Sequence, residues 1–429
     1  MVGALSGSAR AQQDEFDRQL EPGRQSERLR EMGEPQPTPS PTPGEPQDPK
    51  FIPEPGVDPN LFPVFEPPPP PEPVQESFWD QIDLDLQAKA RISGGHDTNV
   101  FRADRGTTAD AYFHAQAEVD VGAGLPTGTE ILFEMSGESM VYGHQHKAIE
   151  HFFSTFAEVY HPVTGWLDVG LQNAFELSRQ NLLDDNGDLF PRGRFGSLDE
   201  EPRAYAILRP TDRWGFEAGA SFRYKDYEEN PGVESLDYQE WRFDTAISYK
   251  LSAQPRSRLK LRYRFRQRDY RELRARGRAG SLLPESPRLD LYRHQLTLSW
   301  YQELKPVEWF DARVIASLGA VYNQDAYQND RSYRQLSASL RVEWWLVHDL
   351  TRLDVAVVTL ARNFLVRQPA GQGGHLRHRL FELNVQVWQR LGDWPLAVFA
   401  NLTASMWRSG DPLEDYDRYL IEGGLELFW

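Results

Sequence analysis

The stretch from Arg258 to Arg268 alternates two kinds of side chain. Its sequence, Arg-Leu-Lys-Leu-Arg-Tyr-Arg-Phe-Arg-Gln-Arg, puts a cation at every second position and mostly apolar residues between them. A β-strand sends successive side chains to opposite faces, whereas a helix would scatter these charges around its surface. Because unpaired buried charges are too costly for a dry core, the cationic face must meet water or opposite charges. The stretch therefore predicts a strand with an apolar environment on its other side.

The same period of two recurs from residue 82 to the C-terminus. We count about 16 such segments, an even number within the range of bacterial transmembrane barrels. No run of about 18 apolar residues is present, so we expect no transmembrane helix. A mean hydropathy of -0.62 with 12% aromatic residues fits strands that each turn one face to water. The sequence predicts an all-β fold, a closed antiparallel transmembrane β-barrel over residues 77–429.

The predicted connections between segments alternate in length, as they do in such barrels. The short ones are Leu125–Thr127, Pro162–Gly165, Pro210–Arg213, Ser252–Arg256, Lys305–Glu308, His348–Leu350 and Gly392–Asp393. The long ones are Ser93–Thr108, Arg179–Glu201, Arg271–Pro287, Asn323–Asp330, Val366–His375 and Ser409–Asp415. Most tryptophans lie beside a short connection, as expected for an interfacial aromatic girdle. We therefore predict that the short connections are periplasmic turns and the long ones are surface loops.

The first 76 residues differ from the rest in composition. Residues 1–11 end in Ala9-Arg10-Ala11, an A-x-A cleavage pattern, and we interpret them as the remnant of a secretory signal peptide. Residues 12–76 are acidic and then proline-rich, which predicts a disordered periplasmic segment. The simplest interpretation is a linker. An alternative is that the tail docks on a periplasmic partner or reaches peptidoglycan.

The C-terminus carries a family resemblance. The last eight residues resemble the C-terminal signal of Gram-negative outer-membrane β-barrel proteins, with the matching places filled by Glu422, Gly424, Leu427 and Trp429. Trp429 stands where a terminal Phe is more usual. The resemblance implies secretion, location in the cell outer membrane among its lipids, and folding by the barrel assembly machinery.

Composition and motifs bear on other functions. The net charge of -17 argues against nucleic acid, whose phosphates would be repelled, although roughly half of that charge lies in the N-terminal tail. No G-x-S-x-G stretch and no Ser/His/Asp set for an outer-membrane hydrolase is recognisable, so we predict no enzyme and no catalytic residue. We predict no cofactor and no metal, since there is no cysteine and neither the Asp184–Asp188 segment nor the histidines His144, His146 and His151 has a convincing ligand pattern.

The predicted water-facing residues separate by sign. Base-rich positions on the sixth to ninth strands give the pore-lining basic candidates Arg223, Arg242, Arg258, Lys260, Arg262, Arg264, Arg266 and Arg268. Acid-rich positions on the first five strands give the pore-lining acidic candidates Asp83, Asp85, Glu118, Asp120, Glu134, Glu138, Glu158 and Asp168. Halves of opposite sign set a transverse field that filters ions. The layout resembles the 16-stranded porins, in which the third loop narrows the pore, and this implies Asp184, Asp185 and Asp188 as constriction-loop candidates.

We therefore predict a passive charge-selective channel for small polar or ionic solutes. One alternative is a barrel for surface polysaccharide export or envelope assembly, because Gly94 to Phe101 resembles a Gly-x-Asp-x-Asn-aromatic stretch in export barrels. No periplasmic helical repeat accompanies that stretch. The other alternative is a structural membrane anchor whose lumen is filled by ion pairs.

Overall fold

The computed structural model describes residues 82–100, 107–145, 148–180, 195–228, 235–253, 255–276, 282, 285–307, 310–347, 350–369, 374–410 and 415–429. The predicted signal remnant at 1–11 and the proline-rich segment at 12–76 lie outside these residues. So do the constriction-loop candidates Asp184, Asp185 and Asp188.

The fold is a single closed sheet of antiparallel strands. Each strand pairs with its neighbours in sequence, and the first pairs with the last, which confirms the predicted all-β barrel. The strands are β1 Asp83–Asp97, β2 Asp110–Gly124, β3 Glu130–Tyr142, β4 Glu150–Thr164, β5 Leu167–Gln180, β6 Phe195–Leu208, β7 Trp214–Tyr227, β8 Tyr238–Ser252, β9 Ser257–Arg274, β10 Arg288–Val307, β11 Phe310–Asp325, β12 Tyr333–Val347, β13 Thr351–Phe364, β14 Arg377–Arg390, β15 Leu396–Ser409 and β16 Tyr416–Phe428. None of the described residues forms a helix long and apolar enough to cross a membrane.

The barrel is apolar outside and charged inside. In β9, Leu261 is 42% exposed while its neighbour Arg262 is 6% exposed, the reverse of a soluble protein. The register places Leu261 between Ile247 of β8 and Leu298 of β10. The side chains of Ile247 and Leu298 are also exposed. A continuous apolar exterior of this kind is stable only in lipid.

Tryptophans mark the end with the short connections. Trp166, Trp214, Trp394 and Trp429 are exposed there, as interfacial girdle residues are. Trp345 and Trp388 turn inward instead, where Arg313 lies over the Trp345 ring and the Trp388 indole N–H donates to Glu426 at 3.0 Å. Trp79 and Trp309 lie outside the described residues.

Connection lengths alternate as predicted, from the turn at 165–166 at one end to the connection at 181–194 at the other. Several predicted boundaries on the long side were wrong, because the strands run further than predicted: β1 ends at Asp97, β9 at Arg274 and β11 at Asp325. The largest difference is in β6. Asp199, Glu200 and Glu201 belong to β6 and not to a loop, because β6 begins at Phe195. Asp199 and Glu201 point inward and pair with Arg223 of β7 and Arg242 of β8. These pairs allow β6 to continue beyond its apolar residues.

A charge in the apolar belt should destabilise the barrel. Leu298 lies mid-strand, opposite Leu261 and Leu318. We expect Leu298→Arg to lower the free energy of unfolding by about 2–4 kcal/mol, and Gln324→Arg, near the long-connection end of β11, to lower it by about 1 kcal/mol or less. Urea unfolding in phosphatidylcholine vesicles, followed by tryptophan fluorescence, measures both. Equal losses would mean that Leu298 does not face lipid.

Candidate functional site

The inner surface of the barrel is the candidate site. Alternation along each strand puts all the predicted pore-lining basic residues, including Arg223, Arg242 and the ladder Arg258, Lys260, Arg262, Arg264, Arg266 and Arg268, on the inward face. The predicted acidic residues of β1 to β5 also lie on this face. We call the six cations of β9 the cation ladder.

The lower half of the cation ladder is organised around Glu217 of β7. Its carboxylate lies 2.9 Å from Lys260, 3.1 Å from Arg262 and 2.8 Å from Arg203. Arg203 also contacts Asp244 of β8 at 2.9 Å. All five groups are largely buried. The Glu217 carboxylate therefore neutralises part of the charge of three cations, and this reduces the repulsion between them.

The upper half is organised around Glu240 of β8. This carboxylate is 1% exposed, accepts a hydrogen bond from Arg268 Nε at 2.7 Å and contacts Arg242. Arg242 also pairs with Glu201 at 2.5 Å. Arg223 donates from Nε to Asp199 at 2.7 Å. The base-rich wall predicted from the sequence is thus an interleaved network of bases and acids.

The partners Glu201, Glu217, Glu240 and Asp244 were missed by the sequence interpretation. Each occupies an inward position on β6, β7 or β8, so period two alone places them on the right face. On the other side of the ladder, β10 places neutral polar groups opposite three of the cations: Gln295 faces Arg264, Thr297 faces Arg262 and Ser299 faces Lys260. A further cation, Arg293 of β10, lies opposite Arg266. These acids thus lie on one flank of the ladder, and the β10 flank opposes the same stretch with neutral polar groups and Arg293.

The acidic wall of β1 to β5 has two parts. Near the short-connection end Lys89 and Glu118 lie 4.0 Å apart, with side chains 35% and 36% exposed, and Asp83 and Asp85 lie nearby on β1. Glu138, Glu158 and Asp168 are instead held by His114, Gln172 and Arg209 respectively. Solvent therefore reaches the first group, and the second group is occupied by protein contacts.

A buried cluster joins the first and last strands of the barrel. Asp97 of β1 is 0% exposed and accepts hydrogen bonds from Arg418 of β16, with Nε 3.0 Å from Oδ1 and Nη2 2.5 Å from Oδ2. Tyr142 donates to the same carboxylate at 3.0 Å, and so does the Asn99 backbone N–H at 2.9 Å. The Gly94–Phe101 stretch therefore carries a structural contact through Asp97 and Asn99, whereas Phe101 lies outside the described residues.

The predicted assembly-signal residues lie on the closing strand. Glu422 points inward, contacts Ser93 and lies 2.9 Å from His114. A Cβ at Gly424 would overlap the Ile92 carbonyl oxygen and Ser93, so the closing contact between β1 and β16 requires glycine there. Leu427 and Trp429 face outward and are exposed. Trp429 exchanges backbone hydrogen bonds with Ala88 at 2.9 and 3.0 Å.

The mouth with the long connections is lined by aromatic residues that face inward. Tyr333, Phe364, His378 and Trp407 follow one another across β12 to β15, with ring centroids 5.0–5.6 Å apart. Residues of the connections pack on such inward side chains: Val100 and Ala148 beside Tyr112 and Tyr142, and Leu376 beside Tyr333. The described parts of these connections therefore pack inside this mouth.

Among the described residues, no group of three His, Asp or Glu side chains is arranged to hold a metal ion. His144 contacts Asp110 at 3.0 Å and His151 contacts Ser139 at 3.0 Å, while His146 lies outside the described residues.

No protein-family model matches the sequence. No curated protein matches it either. Solved structures with a similar fold include CdiB from Acinetobacter baumannii, at 9% identity and a TM-score of 0.46, where the alignment covers 81% of this chain and 65% of that one. The chain thus spans less than two thirds of the length of CdiB. OccAB1 from Acinetobacter baumannii is similar at 11% identity and a TM-score of 0.45, over 82% of this chain and 98% of that one. OprB from Pseudomonas putida is similar at 10% identity and a TM-score of 0.44, over 81% and 94%.

The closed sheet itself decides the class of this protein. Its strands are long enough to cross a membrane, its exterior is apolar and its interior is charged. The chain folds into a closed antiparallel β-barrel of the transmembrane type.

Proposed function

We propose that the barrel is a passive channel for small polar or ionic solutes, and that it is not an enzyme. The observation that carries the proposal is the segregation of inward charge: solvent reaches acids such as Asp83 and Glu118 on β1 and β2, and the cation ladder lies on β9, half-way round the sheet. A barrel of 16 strands is wide enough to hold water between two such walls.

The charge count along the ladder supports a residual field. Six cations of β9, together with Arg203 and Arg242, meet the carboxylates of Glu217, Glu240, Asp244 and Glu201. Cations therefore outnumber these acids, and low-dielectric protein walls transmit the remaining positive field into the lumen. The opposed acids of β1 to β3 complete a transverse field, which aligns and filters charged solutes.

The orientation and the partners belong to the same proposal. We place the short connections, the start of β1 and the end of β16 in the periplasm. The tail of residues 12–76 would lie there too, as a linker or as a docking segment for a periplasmic partner or peptidoglycan. Assembly would use the machinery that folds outer-membrane barrels, acting on the C-terminal strand with Glu422, Gly424, Leu427 and Trp429.

The experiment is a planar bilayer recording of the purified, refolded barrel. We expect stepwise conductance that is stable at low voltage, with a reversal potential different from zero in a salt gradient. A membrane that contains correctly folded barrel, shown by heat-modifiable migration, and still never conducts would contradict the channel.

A structural membrane anchor is the second candidate. It is favoured by the burial of the cation ladder, whose Arg268 is 3% exposed, and by connections that pack into the mouth. Absence of conductance in the same recording would support this alternative. Surface polysaccharide export or envelope assembly stays a third candidate. In the Gly94–Phe101 stretch on which it rests, Asp97 pairs with Arg418.

A further inference from the structure

Three arginines form an outward-facing patch at the long-connection end of β12 and β14. The register puts Arg334 opposite Asn363 of β13, and Asn363 in turn opposite Arg377. Arg379 lies two residues beyond Arg377 on the same face of β14, and it is directly opposite Arg408 of β15. All four arginines are exposed. We call Arg334, Arg377 and Arg379 the arginine patch.

The arginine patch has no acid of its own among the residues that the structure describes. Arg408 is held by Asp417, with Nη1 2.6 Å from the carboxylate. Arg334, Arg377 and Arg379 make no side-chain hydrogen bond or ion pair to any described residue. Like charges directly opposite on neighbouring strands, as in Arg379 and Arg408, are destabilising. An anion bound between them would remove that repulsion.

The arginine patch borders the lipid-facing surface. Leu336 lies two residues from Arg334 on the same face and is 67% exposed, and Phe381 lies two residues from Arg379 and is 42% exposed. The guanidinium groups therefore lie at the level where the apolar belt gives way to headgroups. They face away from the lumen, so a solute inside the barrel does not meet them.

The patch differs from the rim of β7, β9 and β10. The corresponding outward positions of these three strands carry Asp226, Asp269 and Asp290, close to Arg271 and Arg288. On these strands outward cations thus lie beside acids, whereas the described residues of β12 to β14 place several outward arginines together without an acid.

We propose that the arginine patch binds the phosphates of lipid A, a phosphorylated glycolipid, in the membrane leaflet on the long-connection side. A guanidinium presents a planar fork of N–H donors that matches two phosphate oxygens at once. The acyl chains of the same molecule would lie on Leu336 and Phe381, which gives the lipid two kinds of contact. This site lies outside the barrel and does not depend on whether the lumen conducts, but it rests on the proposed orientation, in which the long connections face the cell surface.

The test is native mass spectrometry of the full, folded chain in detergent, with lipid A and with enzymatically dephosphorylated lipid A as the two probes. We compare the wild type with R334Q/R377Q/R379Q. The matched control R179Q/R213Q/R288Q removes the same charge from exposed positions elsewhere. Loss of two or three charge-assisted contacts should weaken retention of lipid A by about tenfold or more in the patch variant, with little change in the control.

Heat-modifiable migration establishes that both variants are folded barrels before lipid is added. The wild type should retain lipid A and release the dephosphorylated form. Equal retention of the two lipids by the wild type, or equal retention of lipid A by the wild type and the patch variant, would overturn the proposal. Displacement of lipid A by inorganic phosphate at a matched phosphate concentration would overturn it as well, because the patch would then be a site for free anions.

Discussion

Asp97→Asn is expected to destabilise the barrel by about 3–5 kcal/mol, because it leaves the Arg418 guanidinium buried without its counter-charge. Both side chains are at most 1% exposed, and the carboxylate is the shared acceptor for Arg418, Tyr142 and Asn99. The loss should appear as a lower urea midpoint in vesicles. Hydrogen exchange should rise first in β1 and β16, since the pairing of these two strands closes the barrel.

A double variant separates the charge from the contact. Removing both charges with Asp97→Asn and Arg418→Met should cost less than the sum of the two single changes, because no ion is left unpaired. Arg408→Met is the matched control, since its pair with Asp417 is 49% and 44% exposed, and exposed pairs contribute about 0–1 kcal/mol. Additive losses at Asp97 and Arg418 would show that the two residues act independently.

Period two in the sequence predicted the class of fold and the facing of most strand residues. Residues 258 to 265 show why: a stripe of cations beside Leu259, Leu261, Tyr263 and Phe265 has one stable arrangement, with lipid on one side and a polar interior on the other. The same alternation correctly predicted the inward facing of the acids of β1 and β2. Facing is a local property, and one strand contains enough information to decide it.

Pairing between strands is not local, and the sequence could not give it. Asp97 and Arg418 are 321 residues apart, and their contact exists only because the sheet closes with this register. Glu217 meets Lys260 across 43 residues because the registers of β7 with β8 and of β8 with β9 bring the two side chains together. A shift of two residues would keep every side chain on its face and exchange every partner. For this reason the base-rich positions predicted from the sequence were correct, but their pairing with acids of β6, β7 and β8 was not predicted.

That network decides what the cation ladder does to permeating ions. Replacing Arg262, Arg264 and Arg266 with Gln removes three cations and leaves Glu217 with Lys260 and Arg203. The lumen should become more negative. The reversal potential in a salt gradient should therefore move towards that of cations, with roughly a severalfold change in the permeability ratio. The shift should shrink at 1 M salt, where the Debye length is about 3 Å.

Glu217→Gln tests the same field with the opposite sign. Lys260, Arg262 and Arg203 then lose a shared carboxylate, so the lumen should become more positive and the reversal potential should move towards that of anions. The control R179Q/R213Q/R288Q changes net charge as much as the triple ladder variant but at exposed positions, and it should leave selectivity unchanged. Shifts of the same sign in the ladder variant and in Glu217→Gln would exclude an electrostatic origin, because a field from the ladder must respond oppositely to the loss of cations and the loss of an acid.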